Sequence, residues 1–160
     1  MLPEQVTRAV MASEMLAITA WAERHRWTVH VDPDSQTLTA QTNHPAMAEV
    51  TPVIFHAELT GYPAVPPAWT CRDDQGGTPR NAFPLAGTGA GLPGSVFHPL
   101  PVICAPWNRL AYKEHDGPHQ DWGGPTQWKT AAPASTRAHT LADMLNTLRA
   151  HLAVSPGMTT

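Results

Sequence analysis

Proline limits the fold of this chain more than any other residue. The sequence has 17 prolines and 11 glycines among its 160 residues, and they concentrate between residues 61 and 133. Because proline fixes φ and lacks an amide proton, it is disfavoured inside helices and in central strands. We therefore expect ordered but irregular loops in this section, with regular elements before and after it.

Length and charge limit the class of protein. A chain of 160 residues is long enough for one domain with a single core. Hydrophobic residues make up 42% and charged residues 14% of the sequence, and the formal net charge is -3. These values disfavour both an intrinsically disordered protein and a nucleic-acid-binding protein, and Lys and Arg form no basic patch.

The compartment is predicted from cysteine content and hydropathy. Two cysteines and the lack of a recognisable signal peptide favour a reduced, cytoplasmic protein. The longest apolar stretch, residues 10–22, is interrupted by Ser13, Glu14 and Thr19. A transmembrane helix needs about 20 mainly apolar residues, so a membrane anchor is not expected.

Residues 3–25 have the pattern of a helix. Pro3 and Glu4 suit a first helical turn, where a missing amide costs little and a negative charge complements the dipole. Apolar residues at helical spacing predict the buried face. This predicted face consists of Val6, Val10, Leu16, Ala17, Ala20 and Trp21.

Four consecutive strands are expected after this helix. They are residues 27–31, 37–41, 50–59 and 68–72, the last entered through a proline turn. In the third strand the alternation places Val53, Phe55, Ala57 and Leu59 on one face.

A second helix is expected near the end of the chain. Its apolar residues recur every three or four positions, and Thr140, or Ser135 a turn earlier, would be its N-cap. The repeated residues are Leu141, Met144, Leu145, Leu148 and Leu152. Because the strands are consecutive and do not alternate with helices, the order predicts an α+β fold with a four-stranded antiparallel meander.

We expect one domain over residues 1–154. Residues 73–95 are rich in Gly, Pro, Thr and Asp without periodicity, which is typical of a long surface loop. Residues 155–160 have little to bury, and we expect them to fray.

Two segments, in this order, carry a family resemblance. The first is Tyr62-Pro63-Ala64-Val65-Pro66-Pro67, and the second runs from Phe97-His98-Pro99 to Val102-Ile103-Cys104. They resemble the Tyr-Pro-x-x-Pro-Pro turn, the His-Pro corner and the Ile-Cys of ubiquitin-conjugating enzymes. Trp128, or alternatively Trp122, resembles the tryptophan downstream of that cysteine. The spacing is more similar to the divergent bacterial branch of the family.

The resemblance implies an activity and a set of partners. Cys104 would accept a ubiquitin-like protein as a thioester from an activating enzyme and pass it to an amine, in most cases a lysine, of a target protein. His98 would brace the loop through a backbone hydrogen bond. No metal or organic cofactor is implied.

The family pattern is interrupted at one position. Leu100 stands where the family has the asparagine that stabilises the oxyanion during transfer. Asn108, four residues after Cys104, is a candidate substitute because a side-chain amide can donate to an oxyanion. The alternative is that Asn108 is a turn residue.

The chemistry of Cys104 is open to two interpretations. A thiol is both a good nucleophile and a good leaving group, as an acyl carrier requires. An isolated cysteine between Ile and Ala is also commonly a small buried hydrophobe. We favour the nucleophile for Cys104, and the buried hydrophobe for Cys71, which lies in a strand.

The densest polar cluster follows Cys104. It consists of His115, Asp116, His119 and Asp121. Asp116 or His119 could deprotonate an incoming lysine. The same residue types occur in metal sites, but Gly117 and Pro118 give them no regular scaffold, and a plain solvated loop is an equal alternative.

Aromatic residues accompany the cluster. Trp107, Tyr112 and Trp122 could cover a thioester, but in such a segment they more commonly pack against the sheet, which we expect here. Two other functions stay open: a non-catalytic binding module of the same fold, and a small thiol or zinc hydrolase that uses Cys104 with His98 or with the polar cluster.

Overall fold

The computed structural model describes residues 2–130 and 137–160 and has an α+β fold. Two helices, a four-stranded sheet and a two-stranded hairpin are its regular elements. In chain order they are α1 (Pro3–His25), β1 (Thr28–Asp32), β2 (Thr37–Asn43), β3 (Pro52–Glu58), β4 (Ala68–Arg72), β5 (Phe97–His98), β6 (Val102–Ile103) and α2 (Leu141–Val154). Short 3₁₀ turns occur at Arg80–Ala82, Arg109–Ala111, Lys113–His115 and Pro125–Thr130.

The four-stranded sheet is the predicted meander. Its order is β1-β2-β3-β4, and every neighbouring pair is antiparallel. The alternation in β3 is confirmed, because its predicted inner face is fully buried in the core that α1 and α2 share with the sheet. The members of this face are Val53, Phe55, Ala57 and Leu59.

Helix α2 also follows the sequence pattern. Its five predicted apolar residues are all buried. The hydroxyl oxygen of Thr140 accepts a hydrogen bond from the Asp143 amide at 3.2 Å, which confirms Thr140 as the N-cap. The alternative cap, Ser135, lies outside the described residues.

The predicted buried face of α1 is confirmed at Trp21 and in part at Val10, and is wrong for its other members. The stripe that faces the core consists of Thr7, Met11, Ile18 and Trp21, whereas Leu16 is 84% exposed. Nine residues at 100° each place Leu16 opposite Thr7 on the helix. Thr7 faces inward because its hydroxyl donates a 2.7 Å hydrogen bond to the carbonyl of Tyr62, a contact that no local pattern reveals.

The proline turn lies where α1 meets the start of α2. Tyr62 is buried, and its hydroxyl donates to Glu14 Oε2 at 2.7 Å, while Glu14 Oε1 accepts from the Leu141 amide at 2.7 Å. Trp128 Nε1 donates to the Pro63 carbonyl at 3.0 Å. One glutamate and one indole thus attach the turn to both helices and to the segment after Cys104.

The expectation that residues 155–160 fray is corrected by the structure. Met158 forms a bridge with Pro84, and the Leu85 amide donates to the Gly157 carbonyl at 2.8 Å. Ser155 is buried, and His44 Nε2 contacts its hydroxyl at 3.0 Å. The 73–95 loop folds back to supply the backbone partners Pro84 and Leu85, and Met158 also packs against the core, so the tail is held by backbone pairing and by apolar contact.

Within the part of the chain that the structure describes, the helices are too short or too polar to cross a membrane.

Candidate functional site

Cys104 follows a tight hairpin. Strands β5 and β6 pair Phe97 with Ile103, and the Cys104 amide then donates to the Val96 carbonyl at 2.6 Å. The side chain is partly exposed. The hairpin therefore holds the thiol at the surface on a short, hydrogen-bonded piece of backbone.

His98 has the geometry of a bracing residue. Its Nδ1 accepts a hydrogen bond from the Leu100 amide at 3.1 Å within the hairpin turn. Leu100 itself is 57% exposed.

His119 is the imidazole that reaches the cysteine. Its Nε2 lies 2.6 Å from Cys104 Sγ, within hydrogen-bond distance. The two residues are brought together by a turn in which the Gly117 amide donates to the Tyr112 carbonyl at 2.9 Å and the His119 amide donates to the Ala111 carbonyl at 3.1 Å. A nucleophile and a base in direct contact are the basic arrangement of covalent catalysis.

Gly117 is required by the tightness of this turn. A Cβ atom at this position would lie 2.1 Å from the carbonyl carbon of Ala111. Only glycine allows the two backbone segments to approach so closely.

The indole of Trp122 orients the imidazole of His119. Trp122 stacks on it, with ring centroids 3.6 Å apart and an angle of 6° between the planes, and Tyr112 packs edge-on against Trp122. Asp121 Oδ1 lies 3.5 Å from His119 Nδ1, but Asp121 is 83% exposed. The carboxylate is thus a weak, solvent-screened partner, and the indole supplies the fixed contact.

The thiol is protonated in the resting state. Burial, and to a smaller extent the negative charge of Asp121, raise the pKa of Cys104 to about 11. A preformed thiolate is therefore disfavoured near neutral pH. The Nε2 atom of His119 is the group in contact with this thiol that has the chemistry of a proton acceptor.

Asn108 cannot serve as the oxyanion donor in this arrangement. Its Nδ2 donates to the carbonyls of Trp69 at 3.1 Å and Ile103 at 2.7 Å, and its Oδ1 accepts from the amides of Trp69 at 2.8 Å and Leu110 at 3.2 Å. The side chain is fully buried. The prediction of Asn108 as an oxyanion donor is thus corrected to a structural role. Both protons of its amide group already bind backbone carbonyls, and these hydrogen bonds connect β4 to the loop that carries Cys104.

Asp116 lies in a different part of the surface from Cys104 and makes no contact with it among the described hydrogen bonds and ion pairs. It occupies the left-handed position at φ 60° after the 113–115 turn and lines a separate depression with Trp69, Pro101 and Pro118. No described hydrogen bond or ion pair connects it to Cys104 or His119. The described residues also contain no group of three His, Cys, Asp or Glu side chains arranged to hold a metal ion.

The remaining sequence candidates are structural. Cys71 is fully buried in β4, and burial raises the pKa of its thiol far above the usual range. Trp107 is buried edge-on against Trp69 as expected of a packing residue, whereas Trp122 contacts the catalytic candidate His119.

A cavity opens beside the cysteine. It has a volume of about 260 Å³ and is lined by Cys104, residues 92–96 and one side of α2. His151 of α2 is 6% exposed and lines this cavity, and sequence reasoning missed it. Its spacing of three from Leu148, on the buried stripe of α2, is the signal that could have found it.

Comparisons of the chain with protein-family models, with curated proteins and with solved structures find no match.

Proposed function

We propose that this protein is a divergent ubiquitin-conjugating-type enzyme that carries a ubiquitin-like protein as a thioester on Cys104. The observation that carries the proposal is the 2.6 Å contact between Cys104 Sγ and His119 Nε2 at a partly exposed position beside a cavity. A thiol in direct contact with an imidazole is suited to accept and release acyl groups.

Loading requires a base and an acyl donor. His119 takes the proton of Cys104 while the sulfur attacks the carbonyl carbon of the thioester on an activating enzyme. The new C–S bond forms, the old one breaks, and the proton passes to the departing thiolate. Stacking on Trp122 holds the imidazole of His119 in place during this step.

Transfer uses the same groups in reverse. An amine of the target attacks the carbonyl carbon, an amide bond forms, and the sulfur leaves. His119 takes one proton from the attacking nitrogen and passes it to the sulfur of Cys104, so the free thiol is restored. No cofactor takes part in either half of this scheme.

The architecture supports this proposal over an unrelated thiol enzyme. The helix, the four-stranded meander, the cysteine after a His-Pro corner and the second helix have the order of the ubiquitin-conjugating fold. The proline turn is bound by the indole of Trp128, the residue that resembles the family's tryptophan. His98 has the bracing hydrogen bond that the resemblance implies.

One observation favours a second candidate, a cysteine hydrolase. Asp121, His119 and Cys104 lie in the order of a catalytic triad, with 3.5 Å between Asp121 Oδ1 and His119 Nδ1 and 2.6 Å between His119 Nε2 and Cys104 Sγ. The acyl-cysteine would be the same, but water would attack it. The two functions differ only in the acceptor, so the fate of the acyl group separates them.

The test is reconstitution with an activating enzyme and a ubiquitin-like protein encoded near this protein's gene, in the presence of ATP. We expect a covalent adduct that a reducing thiol cleaves. Cys104→Ala should abolish it, Cys104→Ser should convert it to a thiol-resistant ester, and Cys71→Ala should leave it intact. An adduct that persists in Cys104→Ala, or no adduct with the wild type, would refute the carrier function.

The second candidate is tested with the loaded protein. After removal of ATP, a carrier keeps its adduct until a lysine-containing acceptor is added. A hydrolase instead releases the ubiquitin-like protein into water and turns over repeatedly.

A further inference from the structure

Strand β1 forms a free edge of the sheet. It pairs with β2 alone, and no other backbone group in residues 2–130 and 137–160 forms a hydrogen bond with Thr28–Asp32. Proteins commonly block such an edge with lysine, proline or a bulge, because its unpaired amides and carbonyls can pair with another strand. The Thr-Val-His-Val-Asp sequence of β1 has no lysine or proline, and its register with β2 has no bulge. The edge is therefore open to a further strand.

An apolar groove accompanies this edge. It lies between α1 and β1, and its volume is about 470 Å³. Met15 and Ile18 of α1 line it together with Val29 and Val31 of β1. Both valines are only half-buried, and Met15 is 36% exposed. A strand added at β1 would thus gain backbone hydrogen bonds and would also cover apolar side chains.

The edge is self-complementary. When two copies of β1 pair antiparallel around a two-fold axis at His30, Val29 of each copy lies opposite Val31 of the other. The same axis places Thr28 of each copy opposite Asp32 of the other. Each contact occurs twice, and the two valine pairs extend the inner face of the sheet across the axis.

Charges of opposite sign lie just outside the two strands. Continued past the strand ends, this register brings Arg26 of one copy to the end of the interface that carries Asp34 of the other. Both side chains are exposed, and the two-fold axis repeats the pair at the opposite end. Arg26 also lines the groove. An unrelated peptide would need both charges at this spacing, whereas a second copy of the chain carries them by symmetry.

We propose that a second copy of this chain binds at β1, so that the two four-stranded sheets join antiparallel into one eight-stranded sheet. The site of Cys104 stays free in this dimer, because β6 contacts β4 at the opposite edge of the sheet. The inference goes beyond the proposed function and does not depend on it.

The oligomeric state of the intact chain is measured by sedimentation equilibrium over a wide range of concentration. We expect a reversible dimer with twice the monomer mass of 17.3 kDa. Arg26→Glu and Asp34→Arg should each raise the dissociation constant on the order of 10-fold or more, because like charges then meet at both ends. An equimolar mixture of the two variants should dimerise as the wild type does, because both ends of the mixed pair again join opposite charges.

Three control variants keep the interface intact. Arg80→Glu and Asp74→Arg make the same charge changes at exposed positions of the 73–95 loop, and each should dimerise as the wild type does. Cys104→Ala should also dimerise, so the dimer and the thioester chemistry are lost or kept as separate results.

Hydrogen exchange identifies the strand at the interface. Alternate amides of β1 face the free edge. We expect them to be protected in the wild type at high concentration and to exchange rapidly in Arg26→Glu at the same concentration.

A wild type that is monomeric at every concentration overturns the inference, also if an extended segment of another protein protects these amides. A dimer overturns β1 as the interface if its dissociation constant is unchanged in both charge variants or if β1 shows no protection. A mixture of the two variants that stays monomeric overturns the antiparallel arrangement.

Discussion

The Nε2 atom of His119 lies 2.6 Å from the sulfur of Cys104, although 15 residues separate them in the sequence. The contact depends on one tight turn between Ala111 and His119 and on the stacking of Trp122. It places an imidazole nitrogen beside the thiol, which is the geometry that the proposed function requires.

Removal of the base should slow loading. We expect His119→Asn to reduce the rate of adduct formation at pH 7 on the order of 100-fold, because the thiol pKa near 11 leaves little thiolate without a proton acceptor. The measurement is single-turnover loading followed by non-reducing gel electrophoresis. His115→Asn, an exposed histidine of the same loop, is the control and should load at the wild-type rate. Equal rates for the two variants would contradict the role of His119.

The turn itself can be tested at Gly117. An added methyl group would lie 2.1 Å from the Ala111 carbonyl carbon, so Gly117→Ala must open the turn and move His119 away from Cys104. We expect a loss of loading as large as that of His119→Asn. Gly77→Ala is the matched control, because its new methyl group meets Asp73 Oδ1 at an ordinary 3.4 Å. Wild-type loading by Gly117→Ala would show that the contact is not needed.

Asn108 should matter for stability and not for the chemical step. Asn108→Ala leaves the backbone groups of Trp69 and Ile103 without their buried partners, and each such loss costs about 1–3 kcal/mol. We expect a fall in the free energy of unfolding of about 3 kcal/mol or more, measured by urea denaturation. Asn43→Ala, at an exposed strand end, should change it by less than about 0.5 kcal/mol. A variant of normal stability with lost transfer activity would restore the oxyanion role.

Buried histidines should make stability depend on pH. Burial lowers the pKa of His44, His56 and His151 from the usual 6.5. Below that value the unfolded chain binds more protons than the folded one, so stability is fully present above about pH 6.5 and decreases as the pH falls towards the lowered values. The free energy of unfolding measured between pH 7.5 and pH 5 should therefore decrease.

The contribution of one histidine can be isolated. His44→Gln should flatten this slope, whereas His30→Gln, at an exposed strand position, should leave it unchanged. A slope that is identical in wild type and His44→Gln would contradict the assignment of His44.

Much of the fold follows from local patterns. The four strands, the inner face of β3 and the buried stripe of α2 were all readable from alternation and from three- and four-residue spacing. These patterns predict the structure correctly because a strand or an amphipathic helix buries one face, and the spacing of its apolar residues indicates which face that is. In α1 apolar residues occur all round, so the contact between Thr7 and Tyr62 chooses the face.

The residues of the candidate site could be predicted only in part from the sequence. Cys104, His98 and His119 were identified by residue type and motif, but the sequence did not distinguish His119 from Asp116 as the partner of the cysteine. The sequence left Asn108 open between an oxyanion donor and a turn residue. Four hydrogen bonds between its side-chain amide and backbone groups, one of them as the cap of the Arg109–Ala111 turn, favour the turn residue. His151 was missed because its position in an apolar stripe is also that of a core residue.

The sequence by itself determined the order of the elements, the strand faces and the loop that presents Cys104. The tertiary structure decided the pairing of Cys104 with His119, the structural use of Asn108 and the docking of residues 155–160 against the 83–85 segment. The physical reason is the distance along the sequence over which each interaction acts. Backbone conformation and side-chain periodicity are local, whereas contacts between distant residues depend on how turns such as the one at Gly117 direct the chain.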